Sequence, residues 1–130
     1  MIYFILASEC FSKKDRLYKS SRIESLFLEG ERFYESPFKA IWDESYSLDS
    51  RIKIAVSVPK KGLPKANQRN HIKRLVREAF RKQKSYFIEK LQFKNKSIIL
   101  MLIYTLPRIL SFAEIEDKIS VTLHRLIDEV

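Results

Sequence analysis

The sequence has a single cysteine, Cys10, so no disulfide can close within the chain, and this usage suits a reducing compartment. It has two glycines, Gly30 and Gly62, which predicts long regular elements and few loops. No apolar run reaches the about 20 residues that a membrane-spanning helix needs. The apolar start, MIYFILASEC, is too short to span and lacks the leading basic region of a signal peptide, so it reads as an N-terminal strand or packed arm of unknown role, residues 1–11. The chain therefore reads as cytoplasmic, with no membrane partner. No cysteine/histidine spacing fits a zinc finger. Carboxylates gather only loosely, outside the basic region, so neither a catalytic site nor a metal site is expected in the protein itself. His71 and His124, the two histidines, read as surface or boundary residues, and Cys10 has no evident base beside it.

What the chain has is positive charge in one place. Residues 51–84 hold 12 Lys/Arg against one acid, Glu78, whereas the remaining 96 residues hold 13 Lys/Arg against 15 acids. Charge spread evenly would serve solubility. Charge concentrated in a quarter of the chain builds a local positive field, for which a phosphate backbone is the common partner. The 130 residues, 45% hydrophobic with nine Phe and six Tyr, suffice for one domain with one core.

Periodicity predicts the order helix, strand, strand, helix, strand, helix. SRIESLFLEG reads as a helix, with Ser21 and Glu24 as a capping box and Gly30 as its stop. RFYESPFKAIW reads as one strand whose early part Pro37 confines to an edge or bulge, with Phe38, Ala40 and Trp42 on one face and Lys39 and Ile41 on the other. DESYSLDS reads as a turn. In IKIAVSV, Ile52, Ile54, Val56 and Val58 face the core, and Lys53, Ala55 and Ser57 face away. PKKGLPKANQ breaks regular structure. A helix follows at about 69–91, then SIILMLIY as a central strand, apolar on both faces. Ser111 and Glu114 open a last helix. The pattern is an α/β (α+β) two-layer sandwich with one mixed sheet.

On a wheel advancing 100° per residue, Ile72, Leu75, Val76, Ala79 and Phe80 of the third predicted element's successor helix form a core stripe about 140° wide. Arg69, Lys73, Lys84, Arg77, Asn70, Arg81 and Arg74 follow as a ridge along one flank, with His71, Glu78 and Lys82 opposite. A solvated face mixes signs, because like charges at four-residue spacing repel by a few tenths of a kcal/mol. Arg69, Lys73, Arg77 and Arg81 are successive like charges at that spacing, which points to an anionic partner. Phe27, Phe33, Tyr34 and Trp42 are candidates for base stacking, or for the core.

With these residues in place, VPKKGLPKANQRNHIKRLVREAFR resembles the signature of the bacterial ribonuclease P protein component. FSKKDRL, the Leu-Phe and Gly of the first helix, LMLIYTLP and the closing helix extend the resemblance over nearly all of residues 11–130. The resemblance implies a ribosomal-protein-like sandwich with a left-handed crossover. It implies a protein that joins a catalytic RNA and assists endonucleolytic removal of the 5′ leader from precursor tRNA, with the chemistry and most of the magnesium held by the RNA. Carried over by position, Arg69, Asn70, Lys73, Arg74 and Arg77 match the signature helix, and Lys60 and Lys61 match the loop before it. Arg81 extends the same ridge, and Ile23, Phe27, Lys39 and Ile41 match the leader groove. His71 stands where the pattern has arginine, and Ile23 and Ile41 where it often has aromatics. No obligate protein partner is expected. The competing reading is a structural or ribosome-associated RNA-binding protein without an enzymatic partner.

Overall fold

The computed structural model describes residues 2–6, 20–44 and 51–130, with backbone alone for 2–6 and 20–24. Among these residues the order is β1 (Ile2–Leu6), α1 (Ser20–Glu29), β2 (Glu31–Glu35), β3 (Phe38–Glu44), β4 (Ile52–Ser57), α2 (Ala66–Phe93), β5 (Ile98–Tyr104) and α3 (Phe112–Glu129). The strands form one sheet ordered β1-β4-β5-β3-β2. β4 and β5 are parallel and every other pair is antiparallel. The expected α/β sandwich with a mixed sheet and three helices is therefore present.

One element differs from the sequence reading, and the apolar start takes one of the two forms expected of it. The stretch read as one strand, 32–42, is a hairpin: Ser36 and Pro37 make its turn, and β2 pairs back on β3 from Glu31↔Trp42 to Glu35↔Phe38. Pro37 has no N–H to give a ladder, and a turn is where that omission is tolerated. The apolar start supplies β1, which pairs with β4 from Ile2↔Ser57 to Leu6↔Lys53. The predicted capping residues Ser21 and Glu24, Ile23, Cys10, and most of the turn DESYSLDS lie outside the side chains or residues described.

The sheet buries both faces, and alternation sorts the residues between them. Ile98, Leu100, Leu102 and Tyr104 of β5 join Ile52, Ile54 and Val56 of β4 and Phe38, Ala40 and Trp42 of β3 under α2 and α3. Ile99 and Met101 of β5, with Ile41 and Ala55, take the other face under Leu26 of α1. α1 thus adds partial cover on the second face of the sandwich. β5, apolar at all seven positions, is the central strand that its composition indicates.

The helix ends follow from local chemistry. The Ser111 hydroxyl accepts from the Glu114 N–H at 3.2 Å, the predicted N-cap of α3. α2 ends with Asn95 in the left-handed region at φ 54. Its N–H donates to the Gln92 carbonyl at 3.0 Å and the Lys96 N–H to the Leu91 carbonyl at 2.9 Å, the double bond of a Schellman cap, which turns the chain into β5. The far end of α3 is fastened to the hairpin. Arg125 lies over the Phe33 ring, pairs with Glu35 at 3.1 Å and with Glu129 at 3.6 Å, and Trp42 Nε1 donates to Glu129.

Gly30 stops α1, as its sequence position suggests, but for a different reason. Its φ is not left-handed. A Cβ here would stand 2.5 Å from the Leu26 carbonyl oxygen and 2.8 Å from Ile41 Cγ2, so the missing side chain lets α1 lie against the sheet. Gly30→Ala is expected to destabilise the fold by about 1–3 kcal/mol, the usual range for overpacking. The measure is the urea midpoint; an unchanged midpoint would mean that α1 yields without resistance.

Candidate nucleic-acid interface

The wheel predicts angles, and the structure adds depth. Along the ridge, burial falls steadily with angle from the core stripe. Arg69, Lys73 and Lys84, nearest Phe80, are buried, at 8%, 2% and 6% exposure. Arg77 and Asn70 are half-buried, and Arg74 and Arg81 are exposed. Of the expected phosphate ridge Arg69–Lys73–Arg77, the first two members present almost no surface in the free protein. Long basic side chains have apolar stems, so they can extend the buried stripe beside Phe80.

Arg69 is also engaged. Its guanidinium Nη1 donates to the Leu63 carbonyl at 2.9 Å and the Pro64 carbonyl at 2.7 Å. Lys73 lies one turn further on. Burial, and after it the charge of Arg69, holds the Lys73 ammonium below its ordinary value. Arg81 gives two bonds to Glu78, at 2.7 and 3.1 Å, and these hold the Glu78 carboxyl below its ordinary range. Glu78, placed on the opposite flank by the wheel, thus touches the exposed end of the ridge. Lys82 turns to α3 instead, 3.7 Å from Glu116 and over the Phe112 ring. His71 is exposed on the first turns of α2.

Lys60 and Lys61 are exposed on the loop that enters α2. The loop is held from inside: Leu63 is buried in the main core, and Gly62 lies against Pro107, where a Cβ would stand 3.2 Å from Pro107 Cα. α2 begins without a side-chain cap or an acid in its first turn, so the positive end of the helix keeps its character.

On the α1 face, strand register assembles a second feature that sequence reading missed. Cross-strand partners share a face. Tyr34 pairs with Lys39, Lys39 with Ile103, and Ile103 with Ser57, making one row across β2, β3, β5 and β4. Tyr34 is 56% exposed, Lys39 is exposed, and Ile103 and Ser57 are partly open. The Tyr34 hydroxyl meets the Thr105 hydroxyl at 3.2 Å, which fixes the ring at the rim. The next row, Ile41–Met101–Ala55, is closed over by α1. Ile41, carried over as a leader-groove position, is fully buried, and Phe27 is partly buried at the margin of the same cluster. Phe33 and Trp42 belong to the opposite core, and Ile23 lies outside the described side chains. Beyond Ser57 the register continues to Ile2 of β1, and along the chain Ser57 stands three residues before Lys60, so the row also leads into the basic loop. Only the register could reveal it, because its four members come from four strands. Among the described residues, no group of three or more His, Cys, Asp or Glu could hold a metal ion, and no helix is long and apolar enough to cross a membrane.

The Ribonuclease P family model matches residues 11–126. A ribonuclease P protein component of Porphyromonas gingivalis strain W83 is 32% identical over 124 residues, covering 92% of this chain and 88% of that relative. The solved RNase P protein of Staphylococcus aureus superposes with a TM-score of 0.71 at 22% identity, covering 86% of this chain and 94% of that one. The RNase P protein of Thermotoga maritima gives 0.64 at 24% identity, covering 85% and 94%. The two structures speak for the fold alone.

The buried Arg69–Lys73 pair yields a titration test. The folded chain gives up the Lys73 proton before the unfolded chain does. Stability from this group therefore rises as pH climbs from its lowered value to the ordinary lysine value, and the burden of charge is full at neutral pH. Removing the neighbouring charge in Arg69→Gln should move the Lys73 midpoint upward. The measurement is the Cε resonance of labelled lysine across the alkaline range; an unmoved midpoint would show that Arg69 contributes nothing to it.

Proposed function

This chain belongs to the ribonuclease P protein family, and on that premise we propose that its exposed basic surface and open sheet row together hold the 5′ leader of precursor tRNA against the catalytic RNA. As a member, the chain is the protein component of a ribonucleoprotein endoribonuclease that works with ribonuclease P RNA in tRNA 5′ maturation. What supports the finer reading is one continuous feature: the row Tyr34–Lys39–Ile103–Ser57 leads directly into Lys60 and Lys61 and on to the start of α2.

The residues divide by what each can reach. Lys60, Lys61, Arg74 and Arg81 are exposed cations that can meet phosphate. Asn70 and Arg77, half-buried, flank them, and His71, exposed on the first turns of α2, adds a further contact. On the sheet, Lys39 can take a leader phosphate while Tyr34 offers a ring face to a base, the aromatic that Ile23 and Ile41 do not supply. Phe27 borders this row. Single-stranded RNA suits such a surface, because unpaired bases are free to stack. Magnesium belongs mainly to the RNA subunit in this reading, and no described cluster of this chain fits it. The chain works in the cytoplasm and needs no further protein.

The reading is tested by reconstitution with a bacterial ribonuclease P RNA. Protein alone is expected to leave labelled precursor intact in magnesium, and the reconstituted particle is expected to bind precursor with its leader more tightly than mature tRNA. Equal affinity for the two would favour a structural RNA-binding role. Arg74→Ala should lower the slope of log K against log salt by about 0.7–0.9, one phosphate contact. Lys82→Ala, whose ammonium faces α3, should change it less; equal losses would refute the exposed face of α2 as the contact. Tyr34→Ala should weaken binding of leader-bearing precursor by about 1–3 kcal/mol, the usual worth of one base stack, and leave mature tRNA unaffected; an equal effect on both would remove Tyr34 from the leader surface.

A further inference from the structure

We infer that Arg69, the first arginine of the signature, is a positioning residue for the Lys60–Lys61 loop and does not itself contact RNA. This rests on reading the two lysines as RNA contacts.

The loop has to cross from the end of β4 to the start of α2, and Pro59 and Pro64 remove two of its backbone donors. Its carbonyls need partners of another kind. Arg69 supplies them from within the helix, six residues after Leu63 and five after Pro64, by reaching back over its own N-terminus to both oxygens. A planar guanidinium can serve two neighbouring carbonyls from one nitrogen, and it keeps its charge when buried. At 8% exposure, the group has little surface left for a phosphate. Two further holds act on the same few residues: Leu63 inserts in the core, and Gly62 rests on Pro107. Lys60 and Lys61 are thus carried on a short span fixed behind them at Gly62, Leu63 and Pro64. A cation held in place loses less conformational freedom on binding than one on a loose loop.

The experiment compares salt slopes for binding of a bacterial ribonuclease P RNA transcript. Lys60→Ala with Lys61→Ala should lower the slope by about 1.4–1.8, two contacts. Arg69→Gln alone should remove most of that same share, and adding it to the lysine pair should remove no more. Arg74→Ala should lower the slope by about 0.7–0.9 in either background. A simple loss of folding would not spare Arg74 in this way. Additive losses for Arg69 and the lysine pair would make Arg69 a phosphate contact and overturn the inference. An unchanged slope for the lysine pair would overturn it too, by showing that the loop does not meet RNA, and would also mark that part of the proposed surface as wrong.

A second measurement needs no RNA. In the free protein, trypsin should cut after Lys60 and Lys61 about tenfold faster in Arg69→Gln, with the urea midpoint still showing a folded chain. If Arg69→Gln does not fold, Arg69→Lys keeps the charge but lacks the planar fork, and it should show the same faster cutting. Wild-type cutting rates in a folded variant would refute the latch whatever the RNA data show.

Discussion

Parallel neighbours in a sheet cannot be joined by a tight turn. β4 and β5 are parallel and adjacent, so the chain that leaves β4 at Ser57 must travel back along the molecule before it can enter β5 at Ile98. α2 makes that journey, 28 residues or about 42 Å of helix, across the face it shares with α3. This one constraint sets where function can sit. It brings the start of α2 and its entry loop to the end of the sheet where β4 and β5 finish. The open row of Tyr34, Lys39, Ile103 and Ser57 lies at that same end. Cations from a loop, cations from a helix and a platform from four strands become neighbours because of how two strands pair.

The cations of this region are not a uniform coat. Those nearest the core stripe are turned inward and act on the protein itself: Arg69 on the loop carbonyls, Lys73 close beside it in the buried arc. Lys82 is occupied by α3. Those farther round the helix, with the two loop lysines, face solvent. A basic sequence signature thus carries two kinds of work, building the surface and being the surface, and the residue type alone does not separate them.

The fold was legible where local physics decides. IKIAVSV alternates, and the structure sorts its residues to two faces in that alternation. Ser111 and Glu114 mark a helix start, and the hydroxyl is bonded there. Pro37 was harder, because proline fits an edge, a bulge or a turn, and only the pairing of β2 with β3 decides between them. The candidate site was legible in charge and in the family signature, but not in depth. A wheel gives directions around one helix and knows nothing of how far its neighbours rise, so Lys73 and Arg74 looked alike. The bonds of Arg69 were not legible because its partners are main-chain carbonyls, which leave no mark in the sequence. The sheet row needed register, a relation among four strands that no single stretch contains.

Trp42 gives the molecule a built-in reporter. It is the single tryptophan of the chain, nearly buried on β3, and its indole N–H is bonded to Glu129 in the last turn of α3. The two residues are 87 positions apart, so this contact closes a long loop. Emission from one indole therefore reads the docking of the C-terminal helix on the hairpin. That junction lies on the far face of the sheet from the open row, so the fluorescence reports on folding and stays separate from a strand bound along that row.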